Sequence, residues 1–208
     1  IETTGGHASA NGITEIAITY NVGGLDEAKS ILGDGSKWGA KFTYVLQEEP
    51  KGLANIFQVC EEYLEGEPFV LHLGDNIFVD GIKDLVDYFE KEKPNALVTM
   101  VKHKDNRRLG VPFFDEKGKF VQYVEKPEKP PNNFGIPGLY FFDKHVFECF
   151  KGKNAIKPSE RGELEISSPY NWLIENGFKV DALEYQGVWM DPGKFDDWLE
   201  ANQYLLQH

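Results

Sequence analysis

The stretch FVLHLGDN, residues 69–76, decides the reading of the fold. A nearly continuous apolar run from Phe69 stops abruptly at Gly74-Asp75-Asn76, which reads as a strand closed by turn residues. Ligands of open α/β sheets bind beyond the carboxyl ends of the strands, so Asp75 stands where chemistry is expected. A turn aspartate that caps its local backbone has the same signature.

Outward from this strand, short apolar runs alternate with helical patterns, the layout of an α/β domain. Upstream, ITEIAITYN from Ile13 and KFTYVLQ ending at Gln47 read as strands. After the loop EEPKG, Leu53, Ile56, Phe57, Cys60 and Leu64 fall at helical spacing and form one inward stripe. Downstream, Ile82, Leu85, Val86 and Phe89 mark a second helix, closed by Lys-rich residues and Pro94. ALVTMV is a further strand. VPFFDEKGKFVQYVEKP then reads as a hairpin around Asp115-Glu116-Lys117-Gly118. GLYFFD is a strand, followed by a short helix through His145 and Phe150. A helix is expected around Trp172 and Leu173, with Pro169 bearing on its start. FKVDALEY is the last strand. A terminal helix from Lys194 is expected to carry Phe195, Trp198, Leu199, Asn202, Leu205 and Leu206 on one face. Without repeats, low-complexity segments or linkers, the 208 residues form a single domain.

Lys plus Arg number 22 against 34 Asp plus Glu, a formal charge of −12. That balance argues against nucleic acid and against an anionic membrane as partners. It leaves small anionic substrates open, because a few cations in one cleft can hold a phosphate. No apolar run reaches the roughly 20 residues of a membrane helix, and the start lacks a signal-peptide layout. Cys60 and Cys149 form no CxxC, the five histidines lack HExxH spacing, and a zinc site is not expected. The two cysteines read as packing residues of a cytoplasmic protein.

A second carboxylate, Asp191 in GVWMDPG, also stands at a strand end, although Asp-Pro-Gly is equally a turn sequence. Two strand-end carboxylates could share one Mg²⁺, which is usually held by one or two carboxylates plus substrate phosphates. Gln47 and Gly52 bracket a βα loop. A Gln amide can meet a base edge, and a Gly admits a flat ligand or simply serves a turn. Glu125-Lys126-Pro127 ends a hairpin strand as either a solvated pair or a sugar-phosphate contact. There is no GxGxxG and no Walker loop.

Taken in order, GDGSKWG, FTYVLQEEPKGLA, LGDN, RLGV, VEKP, GLYFFD, RGELEIS, YNWLIENG and WMDPG resemble the sugar-phosphate nucleotidylyltransferases. The resemblance is closest to the glucose-1-phosphate thymidylyltransferases. It implies a Rossmann-like three-layer α/β/α fold with a mixed sheet and a small β-rich sugar-binding subdomain. It also implies the reaction of dTTP with glucose 1-phosphate to give dTDP-glucose and pyrophosphate, in a homo-oligomer that needs Mg²⁺. Carried over by motif, Gln47 and Gly52 match nucleotide contacts, and Asp75 and Asp191 match the Mg²⁺ ligands. Gly110, Glu125 and Tyr140 match sugar contacts, Lys126 the sugar-phosphate contact, and Trp189 a position beside the metal. Asp75, Lys126 and Asp191 are thus the expected catalytic set.

The chain departs from the family at several points. Pro192 stands where Thr is common and Leu109 where Tyr is frequent. The family's first strand, Gly-rich loop and following Lys-Pro segment have no match. IETTGGHASANG occupies the place of a helix, yet Gly5-Gly6 costs a helix interior roughly 2 kcal/mol against two alanines. The expectation is a domain that begins in mid-fold, with a gap in its sheet and an intact mass above 23.6 kDa. A UTP-using uridylyltransferase and a non-catalytic sugar-nucleotide-binding homologue are the competing readings.

Overall fold

The computed structural model describes residues 12–64, 66–193 and 195–207. In chain order the strands are β1 (Glu15–Asn21), β2 (Lys41–Gln47), β3 (Phe69–His72), β4 (Ile77–Phe78), β5 (Ala96–Lys102), β6 (Gly110–Phe114), β7 (Phe120–Glu125), β8 (Phe134–Gly135), β9 (Leu139–Phe142), β10 (Val180–Glu184) and β11 (Trp189–Met190). The α-helices are α1 (Leu25–Leu32), α2 (Asn55–Leu64), α3 (Lys83–Glu92), α4 (Ser167–Glu175) and α5 (Phe195–Gln207).

The central sheet runs β10-β5-β9-β3, with β8 added at the end of β5. β10 is parallel to β5, and β9 is antiparallel to both β5 and β3, so the sheet is mixed. Successive side chains point to opposite faces, and both faces of β5 and β9 are covered, which explains why these two central strands are nearly all apolar. From β5 and β9, Ala96, Val98, Met100, Tyr140 and Phe142 pack on one face with Phe57 of α2 and with Tyr170 and Leu173 of α4. Leu97, Leu139 and Phe141 pack on the other face with Leu85 and Phe89 of α3. Helices therefore cover both faces, and the result is the expected three-layer α/β/α arrangement. Free Cys60 and Cys149 are buried, and burial pushes their thiols up to about 11 and about 12. At those values they are packing groups rather than nucleophiles.

β1 and β2 form a separate parallel pair in register from Glu15↔Lys41 to Asn21↔Gln47. A parallel pair needs a crossover, supplied here by α1 and a 3₁₀ turn at Ser36–Trp38. α1 has no counterpart in the sequence reading, although Leu25, Ala28 and Leu32 fall at helical spacing; it is short, and Leu32 is its one buried residue. Between β1 and β3 lies an elongated cavity of about 870 Å³, walled by Phe57 and Cys60 of α2 and by Val86 and Phe89 of α3. Among the described residues no strand pairs with the facing edges of β1 and β3.

The expected hairpin is β6–β7. Its turn is held by the Asp115 carboxylate, which accepts from the amides of Lys117 and Lys119 at 2.9 and 2.8 Å. Pro169 falls in the first turn of α4, where amides have no intrahelical acceptor, so the helix starts ahead of it at Ser167. The helix expected through His145 is a 3₁₀ segment, Lys144–Phe150. The terminal helix is α5; of its expected stripe, Trp198, Leu199 and Leu206 are 53%, 44% and 87% exposed, while Ala201 is buried. Periodicity marks an apolar stripe but does not say what covers it. The readings placed on residues 1–11 and on Lys194 lie outside the described residues.

Candidate functional site

The site is built where β3 ends. The chain turns tightly, with the Asn76 amide donating to the Leu73 carbonyl at 3.0 Å, and enters β4. β4 pairs antiparallel with β11 through Phe78↔Trp189 and Ile77↔Met190. Continuing that register sets Asp191 beside the Asp75–Asn76 turn. Both carboxylates are exposed at this mouth. Partial desolvation by the surrounding chain, then the negative charges of Asp75 and Asp197, raise the Asp191 carboxyl above its ordinary value, and His103 opposes them. The two sequence-predicted carboxylates thus share one electrostatic environment.

Asn76 ties this corner together, and the sequence reading missed it. Its side chain is 5% exposed. The Oδ1 accepts from the Gly138 amide at 2.9 Å and from the Trp189 indole at 2.8 Å, while Nδ2 donates to Asp75 Oδ1 at 3.0 Å. His103 was missed too; its ring lies 6.1 Å from that of Trp189, edge to face.

A second cluster adjoins the first. Gly110 and Glu125 are register partners on β6 and β7, and the Lys126 amide donates to the Leu109 carbonyl at 3.1 Å. Lys126 is exposed and holds φ at +43°, a left-handed conformation that is uncommon for a non-glycine residue and concentrates at functional sites. Burial first, then Glu165, raises the Glu125 carboxyl; Lys126, the Ser167 amide and the Tyr123 hydroxyl pull it back. Tyr140 is 4% exposed, so it belongs to the core rather than to an open platform. Burial first, then the charge of Glu125, pushes its phenol up, with smaller contributions from Asp75 and Asp191, and a hydrogen bond with Tyr123 opposes them. A Cβ on Gly110 would run into the Tyr123 ring, so this glycine makes room for a tyrosine.

Gln47 and Gly52 occupy the β2–α2 loop. The Gln47 amide lies 3.5 Å from Asn55 Oδ1, at the edge of hydrogen bonding. Gly52 has φ +100°, and its close approach is to the backbone of Leu164. The Leu164 amide donates to the Lys51 carbonyl at 2.8 Å, and the Ala54 amide donates to the Leu164 carbonyl at 3.0 Å. The glycine is therefore explained by chain packing, whatever ligand it also meets.

Among the described residues no three His, Cys, Asp or Glu side chains group as metal ligands. A pair of exposed carboxylates still suits Mg²⁺, which keeps waters and takes substrate phosphate oxygens.

The family model described as "Nucleotidyl transferase" matches residues 1–208. The chain belongs to the nucleotidyl transferase family. Among curated members, it is 37% identical over 196 residues to the low-salt glycan biosynthesis nucleotidyltransferase Agl11 of Haloferax volcanii, covering 94% of this chain and 54% of that protein. It is 37% identical over 200 residues to a glucose-1-phosphate thymidylyltransferase of Streptomyces antibioticus, covering 96% and 55%. The chain thus spans about half the length of these two relatives. A Bacillus anthracis protein described as a glucose-1-phosphate thymidylyltransferase, solved with a sucrose, superposes with a TM-score of 0.88 at 32% identity. That match covers 98% of this chain and 81% of the other. UDP-glucose pyrophosphorylase complexed with UDP-glucose shares the fold, with a TM-score of 0.82 at 21% identity and coverage of 100% and 86%. The nucleotidyl transferase fold expected from the motifs is the fold observed.

Proposed function

We propose that this nucleotidyl transferase makes dTDP-glucose and pyrophosphate from dTTP and glucose 1-phosphate. The observation that supports the reading is the β4–β11 register, which sets Asp191 beside the Asp75–Asn76 turn, while the Ile136 and Gly138 amides tie one segment to both Gly110 and Asn76. Asp75 and Asp191 would hold Mg²⁺, which when bound supplies charge neutralisation at the α-phosphate. Lys126 pairs with the sugar phosphate and aligns its oxygen on the α-phosphorus. A P–O bond forms there as the bond to the leaving pyrophosphate breaks in line. Glu125 accepts from sugar hydroxyls beside Gly110, and Trp189 and Tyr140 close that side. Gln47 and Gly52 face the base. Catalysis is then positioning and electrostatics, with no covalent enzyme intermediate. The thymidylyltransferase named among the 37%-identical relatives supports the choice of base. The enzyme would act as a cytoplasmic homo-oligomer.

Pyrophosphate release measured with dTTP and with UTP, each with glucose 1-phosphate, tests the reading. The expected result is a kcat/KM at least about tenfold higher for dTTP, worth about 1.4 kcal/mol. A UTP preference would reassign the base pocket. Saturable dTDP-glucose binding without turnover would make the protein a binding homologue.

We propose in addition that the sheet of the full protein holds one more strand, in the slot between β1 and β3. Two facing strand edges across an apolar cavity of about 870 Å³ support this, because buried unpaired backbone groups are costly. Hydrogen exchange on the full-length protein should find the slot-side amides of β1 and β3 protected. Fast exchange along both edges would overturn it.

A further inference from the structure

We infer that Asn76 is a positioning residue that sets the geometry of the Asp75–Asp191 pair, an inference that rests on the proposed metal-dependent transfer. Asn76 is the buried link between three segments: its own turn after β3, the Gly138 end of β9, and β11. A single side-chain oxygen accepts from both partner segments, and the amide nitrogen donates to Asp75 Oδ1 at 3.0 Å. That nitrogen restricts the rotation of the Asp75 carboxylate, and the Trp189 bond holds β11, which delivers Asp191 two residues later. The cradle is shaped for this amide, since a Cβ on Gly138 would lie 2.8 Å from Asn76 Nδ2. The backbone is pinned as well, with His72 Nε2 at 2.9 Å from the Asn76 carbonyl.

A residue that only satisfied the Gly138 amide would need neither the Asp75 nor the Trp189 bond. Asn76 makes all three, so its loss should move the two carboxylates relative to each other while the core stays folded. Groups hydrogen-bonded to metal-ligating side chains typically control metal affinity by 10–100-fold.

The test measures Mn²⁺ affinity by electron paramagnetic resonance on the full-length protein, alongside thermal melting. Asp75→Asn and Asp191→Asn serve as references. With the references no longer binding Mn²⁺, Asn76→Ala should stay folded at the assay temperature and bind about 10–100-fold more weakly. Trp189→Phe, which removes one arm only, should show a smaller loss in the same direction. If Asn76→Ala binds Mn²⁺ like wild type while the references do not, the positioning role is wrong and the metal reading stands. If the references themselves bind normally, the metal reading falls and takes the inference with it. Should Asn76→Ala fail to fold, Trp189→Phe decides, and unchanged Mn²⁺ affinity in that variant overturns the inference.

Discussion

The backbone of Leu164 lies against Gly52 so closely that a Cβ on the glycine would stand 2.6 Å from the Leu164 nitrogen and oxygen. The neighbour is main chain and cannot rotate away, and Gly52 already has φ +100°. Gly52→Ala should therefore destabilise the protein by about 1–3 kcal/mol from backbone strain alone, with the contact adding to it. Urea unfolding checks this. A normal midpoint with only a raised nucleotide KM would show that the packing account is wrong.

Lys126 and Gln47 should separate kinetically. Lys126 is aimed at charge that moves during the reaction, whereas Gln47 is aimed at a base that does not change. Lys126→Ala should lower kcat by about 10²–10³, the usual loss for one electrostatic donor. Gln47→Ala should act on the nucleotide KM and on the dTTP to UTP ratio, with kcat nearly kept. Steady-state kinetics with both nucleotides reads the difference, and an unchanged kcat in Lys126→Ala removes that residue from the reaction.

Glu125 makes stability depend on pH. Burial, and then Glu165, raise its carboxyl in the folded protein, so the native state holds this proton more tightly than the unfolded chain does. Its stabilising contribution is complete below the ordinary carboxylate range and is lost as pH rises through the raised value. Glu125→Gln, which carries no charge to desolvate, should gain stability relative to wild type at neutral pH. The gain should vanish near pH 4. Chemical denaturation across that range checks the sign, and a gap that widens on acidification would contradict it.

Tyr170 offers a test of the core. Its ring is fully buried, 4.4 Å from that of Phe142, and its hydroxyl donates to the Leu97 carbonyl at 3.1 Å. Tyr170→Phe keeps the ring and drops the donor, leaving a buried acceptor short of a partner. A loss of about 1–2 kcal/mol in urea unfolding is expected, with turnover unchanged.

Much of the fold was legible because it follows from short-range spacing. The run from Phe69 to Asp75 announced a strand and its end. The spacing of Ile82, Leu85, Val86 and Phe89 announced α3, and Asp115 through Gly118 announced a hairpin turn. α1 was passed over, although Leu25, Ala28 and Leu32 share a face, because eight residues between glycine-rich turns that bury only Leu32 make a weak signal. The stripe of α5 through Trp198 and Leu199 was legible, but not that it would stay exposed, because spacing does not say what packs against a face. Asp75 and Asp191 could each be singled out by position at a strand end. Their neighbourhood could not, because a turn aspartate and a ligand look alike in one dimension.

By itself, the sequence determined the alternation of strands and helices, the burial of both sheet faces and the turn chemistry. Each of these depends on residues two to four positions apart. Only the tertiary structure decided that Asn76 meets Trp189, 113 residues away, or that Leu164 packs on Gly52 and Tyr123 on Gly110. Those contacts come from which strand edges pair and how closely two backbones approach. Local periodicity carries no information about either, so the corner that holds the two carboxylates exists only once the chain has folded.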